Sequence, residues 1–200
     1  MTDRVRILAK QILSRGHGVL QKLTLERRRF DGRLQTQIRE VYDTGDGAAI
    51  LLYDPARSKV VLVRQFRAPA YLNGGHESLI EVCAGRLEGV DAQTRIMREA
   101  EEETGFTVRH PRRLFEAYMS PGSFCERITF FVAEYTPADR TGDGGGLEHE
   151  GEDIEILEPT LDDALAMIER GEIIDAKTIL LLHYAKLVGL MQSPPSPDKG

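Results

Sequence analysis

G-R-L-E-G-V-D-A-Q-T-R-I-M-R-E-A-E-E-E-T-G-F, residues 85–106, is the stretch on which the reading of this chain turns. Its second half predicts a helix over 92–104, a span without Pro or Gly. Asp91 offers an N-cap side chain, and Gly105 offers the left-handed residue that ends a helix. Glu99, Glu102 and Glu103 lie three and four residues apart, so they share one helix face. Ile96 and Ala100 give a narrow apolar stripe for packing. Like charges at this spacing repel and weaken an isolated helix. Water and salt can offset that repulsion, but a divalent cation does so more strongly. Mg²⁺ suits such a face, because it is held by a few carboxylates plus waters and substrate phosphates, and Mn²⁺ is a possible substitute. The bare E-x-x-E-E spacing is also that of an ordinary solvated acidic face, which is the commoner case.

The longer pattern changes the balance. R-E-A-E-E-E-T-G-F, residues 98–106, fits R-E-U-x-E-E-x-G-U (U apolar) at every fixed position. This is the core of the Nudix box, and the chain resembles Nudix hydrolases, which cleave a nucleoside diphosphate linked to another group. Two departures lie upstream. Asp91 stands where the box normally has Glu, and six residues rather than seven separate it from Arg98. The loop entering the helix is therefore one residue short, while the carboxylate face is intact.

Two hundred residues suit one domain with a sizeable core and an extra N-terminal element. The expected division is an N-terminal β extension at 1–44, a hydrolase domain at 45–192 and a disordered tail at 193–200. A net charge of −6 argues against nucleic acid as a partner. No long apolar span or signal segment stands out, which predicts a cytoplasmic protein without a membrane partner. Cys83 and Cys125 match no metal spacing and read as reduced core thiols.

Outward from the box, strands are expected at 19–28 and 33–42 around an Asp31-Gly32 hairpin, with a strand or short irregular segment at 5–13. The two hairpin strands have little core-forming material and need a partner surface. The clearest strands are A-A-I-L-L-Y at 48–53 and K-V-V-L-V-R-Q-F at 59–66. A loop is expected at 69–76 and a short strand at 79–83. Further strand segments are expected at 107–114, 115–119, 126–135 and 154–157. Residues 139–151 read as a Gly- and acid-rich loop, long enough for a mobile active-site element. Thr160 and Asp175 cap helices at 161–170 and 177–191. The sum is an α/β fold, an α/β/α sandwich with a mixed sheet, and the resemblance implies the same.

Phosphoanhydride hydrolysis needs charge neutralisation, an activated water and a held leaving group. Glu99 and Glu103 are the first choice as metal ligands, with Glu102 beside them. The resemblance adds the backbone carbonyl of Ala84, next to Gly85, and gives Arg98 the task of orienting a carboxylate. It also selects Glu152 as ligand or base from the acidic residues Glu148, Glu150, Glu152, Asp153 and Glu155 in and just after the 139–151 loop. The likeness extends to about residue 191 through R-E-V-Y-D (39–43), V-R-Q-F-R (63–67), M-S-P-G (119–122), the G-G-G-x-E loop (144–148) and D-x-K-T (175–178). These look like the GDP-mannose pyrophosphatase subgroup, similar to ADP-ribose pyrophosphatases. The subgroup implies substrate contacts from Arg39, Glu40, Arg67, Ala84, Gly85, Glu103, Glu126 and Lys177, and a homodimer built on the N-terminal sheet. His17 stands where the subgroup has an aromatic residue. Pro121, sixteen residues after Gly105, is a feature associated with ADP-ribose hydrolysis in the wider family. The implied reaction is Mg²⁺-dependent hydrolysis of GDP-mannose to GMP and mannose 1-phosphate. ADP-ribose, giving AMP and ribose 5-phosphate, is the alternative substrate. A non-catalytic nucleotide-sugar-binding module is the reading from another class.

Overall fold

The computed structural model describes residues 4–192, and the chain divides into two compact units. The tail expected to be disordered, 193–200, lies outside the described residues.

The first unit comprises residues 4–46 together with Tyr118–Arg127. Strands β1 (Val5–Arg15), β2 (Val19–Arg28) and β3 (Leu34–Asp43) form an antiparallel three-stranded sheet in chain order. The expected hairpin has a longer loop than two residues. Arg29 N–H reaches Arg33 O, and Gly32 takes the left-handed conformation. Every residue of β1 is exposed, including Val5, Ile7, Leu8, Ile12 and Leu13. At the other hairpin Gly18 donates its N–H to Tyr42 Oη at 3.0 Å. A Cβ on Gly18 would stand 2.6 Å from Asp43 O and 2.9 Å from the Tyr42 ring, so only glycine fits there. The 118–127 segment joins this unit through Tyr42, which exchanges backbone hydrogen bonds with Ser123 and Cys125 and packs edge-on against Phe124. Cys125 is exposed, not a core thiol; its neighbours in the turn are polar or partly exposed.

The second unit comprises residues 47–117 and 128–192. Its sheet runs β10 (Glu155–Leu157), β5 (Lys59–Gln65), β4 (Gly47–Asp54), β9 (Arg127–Glu134), β8 (Arg112–Tyr118). β6 (Leu79–Glu81) pairs with β5, and β7 (Cys83–Arg86) pairs with β4. β4 lies antiparallel to β5 and parallel to β9, so the sheet is mixed. β4 is apolar over consecutive residues, and its pleat sends them to both faces. Ala48, Ile50 and Leu52 join Ile96 and Ala100 of α2 (Ala92–Thr104) in one core cluster with Phe106 and Phe131. α4 (Ala176–Leu187) packs against β4 and β6 and against α3 (Leu161–Glu169). Helices thus cover the sheet in the expected α/β/α arrangement.

Three further expectations differ from the structure. Residues 69–76 hold a short helix, α1 (Ala68–Gly74), with Pro69 in its first turn and Gly75 left-handed at its end. Pro and Gly at those positions are helix boundary signals. Residues 107–111 stay outside β8. The last helix stops at Leu187 rather than 191.

Candidate active site

α2 is capped as its sequence dictates. Asp91 accepts from Thr94 N–H at 3.0 Å, and Gly105 is left-handed with its N–H on Glu101 O. The apolar stripe of Ile96 and Ala100 fixes the rotation of the helix on the sheet. That rotation carries Glu99 and Glu103 inward, where they are only 5% and 2% exposed. Glu102 remains partly exposed, and Arg98 points to solvent.

The glutamates are unequally neutralised. Arg95 reaches Glu99 Oε1 at 2.5 Å and Glu102 at 3.9 Å, and it also donates to Arg86 O at 3.0 Å. Arg95, one turn before Arg98, is therefore the arginine that orients a carboxylate here. Arg98 makes no ion pair among the described residues, so the orienting task expected of it is not seen. Glu103 has the Cys83 thiol against it, yet its Oε2 is buried without a hydrogen-bond partner. Burial pushes Glu103 up to about 8. The Cys83 contact and Arg67 act against that rise, and the charges of Glu99 and Glu152 reinforce it. Burial likewise holds the Cys83 thiol well above its ordinary range.

Gly85 lies in β7 beside Ala84, paired to Ala48 of β4. Any Cβ on Gly85 would collide with the Glu99 carboxylate. The glycine of the motif is thus the floor on which the first glutamate rests.

The 139–151 loop is tied to α2 by its glycines. Gly145 N–H donates to Glu103 O and Gly146 N–H to Glu102 O, each at 3.0 Å. Thr141 and Gly142 both donate to Gly105 O. These amides satisfy carbonyls that the end of a helix leaves open. Gly144 is left-handed, and a Cβ there would stand 2.6 Å from the Thr104 carbonyl carbon. Glu152 is held in turn, its Oε2 accepting from Leu147 N–H at 2.9 Å. The loop expected to be mobile is pinned over 141–146 by these bonds.

A second group of charges sits at the end of β6. Glu81, 3% exposed, accepts from Arg67 Nε at 2.8 Å and from Lys177 Nζ at 2.7 Å. Lys177 also reaches Asp175 Oδ1 at 2.8 Å. Asp175 caps α4 by accepting from Thr178 N–H, and Thr178 Oγ1 accepts from Val82 N–H. Burial opposes the charge on Lys177, but Glu81 and Asp175 outweigh it and raise its pKa. Glu81 was not legible as a site residue. Its only signal is a carboxylate inside the apolar run L-I-E-V-C, residues 79–83.

The second unit therefore holds Glu99, Glu102, Glu103, Ala84, Gly85, Arg67, Glu152 and Lys177. His17, Arg39, Glu40 and Glu126 lie in the first unit. His17 is in the exposed β1–β2 turn, Arg39 and Glu40 are exposed on β3, and Glu126 is half-buried just before β9. Arg39 Nη1 donates to Ile38 O at 2.8 Å.

The donor set fits a hard divalent cation. It offers carboxylate oxygens at Glu99, Glu103 and Glu152, and one of those oxygens is buried without a partner. Among the described residues no three His, Cys, Asp or Glu side chains form a ready-made cage.

Comparison with known proteins bears on the same regions. The NUDIX domain profile matches residues 43–182. A profile described as the GDP-mannose pyrophosphatase NudK N-terminal domain matches residues 4–42. A GDP-mannose pyrophosphatase of Escherichia coli O1:K1 / APEC is 46% identical over 192 residues, covering 96% of this chain and 100% of the relative. A GDP-mannose pyrophosphatase of Enterobacter sp. (strain 638) is 46% identical over the same share of each chain. A solved structure described as an ADP compounds hydrolase shares the fold, with a TM-score of 0.71 at 18% identity, covering 94% of this chain and 96% of that one. No helix among the described residues is long and apolar enough to cross a membrane. The domain match runs from the end of β3 through the box helix into α4, and on that evidence the chain belongs to the Nudix family of hydrolases.

Proposed function

We propose that this protein hydrolyses the pyrophosphate bond of GDP-mannose, giving GMP and mannose 1-phosphate. Water adds across one P–O–P bridge, so each product leaves as a phosphate monoester. The observation that carries the reading is the buried Glu103 beside Glu99, in a chain 46% identical over nearly its whole length to GDP-mannose pyrophosphatases.

Glu99, Glu103 and the carbonyl of Ala84, with Glu152 from the loop, are the groups that would hold Mg²⁺, or Mn²⁺ in its place. When bound, the cation supplies charge neutralisation on the phosphates and lowers the pKa of water. Arg95 keeps Glu99 oriented, and Gly85 leaves room for its carboxylate. Arg67 offers a guanidinium suited to bidentate pairing with phosphate oxygens. Glu152, whose Oε2 accepts from the Leu147 amide, is the proposed metal ligand or the base that takes a proton from the attacking water. Glu102, partly exposed next to Arg95, supports a second cation or the charge balance of the first. Lys177 serves the substrate end through the cluster it forms with Glu81. His17, Arg39, Glu40 and Glu126 are proposed as nucleotide and sugar contacts on the resemblance alone.

A homodimer formed through the N-terminal sheet belongs to this reading. Its support is β1, whose exposed Val5, Ile7, Leu8, Ile12 and Leu13 have no cover within their own unit. Free thiols at Cys83 and Cys125 support a cytoplasmic enzyme.

The test is hydrolysis of GDP-mannose and ADP-ribose, each assayed separately with Mg²⁺ and products resolved by chromatography. A higher kcat/KM for GDP-mannose supports the assignment. A higher value for ADP-ribose moves the specificity to that substrate, in line with Pro121, and retires the GDP-mannose reading.

A further inference from the structure

The group at the end of β6 is a relay of four charges. Asp175 holds Lys177, Lys177 and Arg67 both hold Glu81, and Glu81 takes only the Nε of Arg67. The Glu81 side chain is 4% exposed, the Lys177 side chain 16%, and the Arg67 side chain 40%. Burial is therefore graded, from a fixed carboxylate to an arginine that faces outward. No other hydrogen bond of the Arg67 guanidinium is present among the described residues. With Nε committed, its two terminal nitrogens form one free planar edge, the fork that matches two oxygens of a phosphate. Arg67 also lies near enough to Glu103 to favour that carboxylate's charged form. That attraction would draw a guanidinium free to turn toward Glu103.

We infer that Glu81 is a positioning residue: it anchors Arg67 by Nε, so that the terminal nitrogens of Arg67 face the substrate diphosphate rather than the α2 carboxylates. Lys177 and Asp175 hold Glu81 in place and stay engaged with it. This rests on the proposed reading in one respect, that the ligand carries a diphosphate.

The test compares wild type, Glu81→Gln, Arg67→Ala and the double variant, by GDP-mannose kinetics with Mg²⁺ and by calorimetric binding of GDP. GDP carries the diphosphate, so its binding reports on the anchor whichever sugar is hydrolysed, and loss of GDP-mannose turnover alone counts against the substrate and not against Glu81. Glu81→Gln is expected to raise KM and weaken GDP binding about tenfold, the weight of one charge-assisted contact, with kcat changed far less. In the Arg67→Ala background the same substitution is expected to change neither. If Glu81→Gln does not fold, Glu81→Asp shortens the anchor without stranding a cation and is expected to raise KM and weaken GDP binding in wild type but not in the Arg67→Ala background. Losses that multiply in the double variant, unchanged KM and GDP binding in Glu81→Gln, or no GDP binding by wild type overturn the inference.

Discussion

Two clusters of buried charge lie in the same unit and are resolved in opposite ways. At the end of β6, Glu81 and Asp175 face Arg67 and Lys177, two anions against two cations, with bonds of 2.7–2.8 Å. On α2, Arg95 reaches Glu99 and Glu102 but makes no ion pair with Glu103, whose Oε2 is buried without a hydrogen-bond partner among the described residues. Leaving a buried carboxylate unpaired is costly, and proteins avoid it unless the site has a use for it. The balanced cluster thus holds Arg67 and Lys177 in place, and the unbalanced one is the proposed site for a cation from outside the chain. The contrast teaches that burial of carboxylates does not itself mark a catalytic site; the imbalance does.

The largest effect is expected from removing the imbalance at its centre. Glu103→Gln should lower kcat by about a thousandfold or more, as loss of electrostatic stabilisation at a reacting group does. The same variant should melt no lower than wild type in EDTA at pH 8, because it removes a buried charge. The balanced cluster predicts the reverse pattern. Lys177→Met leaves Glu81 with Arg67 as its one remaining cation and should cost up to about 3 kcal/mol in denaturant unfolding, the low end of the range for breaking one partner out of a buried pair.

Next comes the pH dependence. Glu103 is raised from 4.5 to about 8, so the folded state keeps a proton that the unfolded state releases. Stability in EDTA should be highest near the lower value and fall as pH rises between about 4.5 and 8, by on the order of a few kcal/mol. Mg²⁺ should recover most of that loss at pH 8 and little of it at pH 5.5. Thermal melts with and without the cation at both pH values check the sign.

Gly144→Ala should act on the loop rather than the helix. A Cβ would press on the carbonyl of Thr104 from a left-handed backbone, which displaces Glu152. Activity should fall about tenfold or more with a stability change near 1 kcal/mol. The smallest contrast is between the two arginines of α2. Arg95→Ala should reduce activity measurably, whereas Arg98→Ala should change stability by less than about 0.5 kcal/mol, as exposed charges do.

Much of this was legible in the sequence because it is local. Asp91, the unbroken span to Thr104, and Gly105 define α2 to the residue, and the glutamate spacing defines its face. Thr160 and Asp175 cap α3 and α4 as read. What the sequence hid is long-range. Glu81 and Lys177 are 96 residues apart, and nothing near either signals the other. Arg95 and Arg98 differ by less than one turn, and only the packing of Ile96 and Ala100 decides which reaches Glu99. Pro69 and two glycines read as a loop at 69–76, and only the fold shows that they mark the ends of a helix. Cys125 follows Phe124 just before a strand, and the turn that holds them leaves both exposed.

The most direct test of the account is a single-turnover assay of GDP-mannose hydrolysis, comparing wild type with Glu103→Gln in Mg²⁺ and in EDTA. The account predicts GMP and mannose 1-phosphate from wild type in Mg²⁺ alone, with the variant and the EDTA sample close to background. Hydrolysis by Glu103→Gln at a rate near wild type would contradict it, since the unbalanced carboxylate would then have no part in the chemistry.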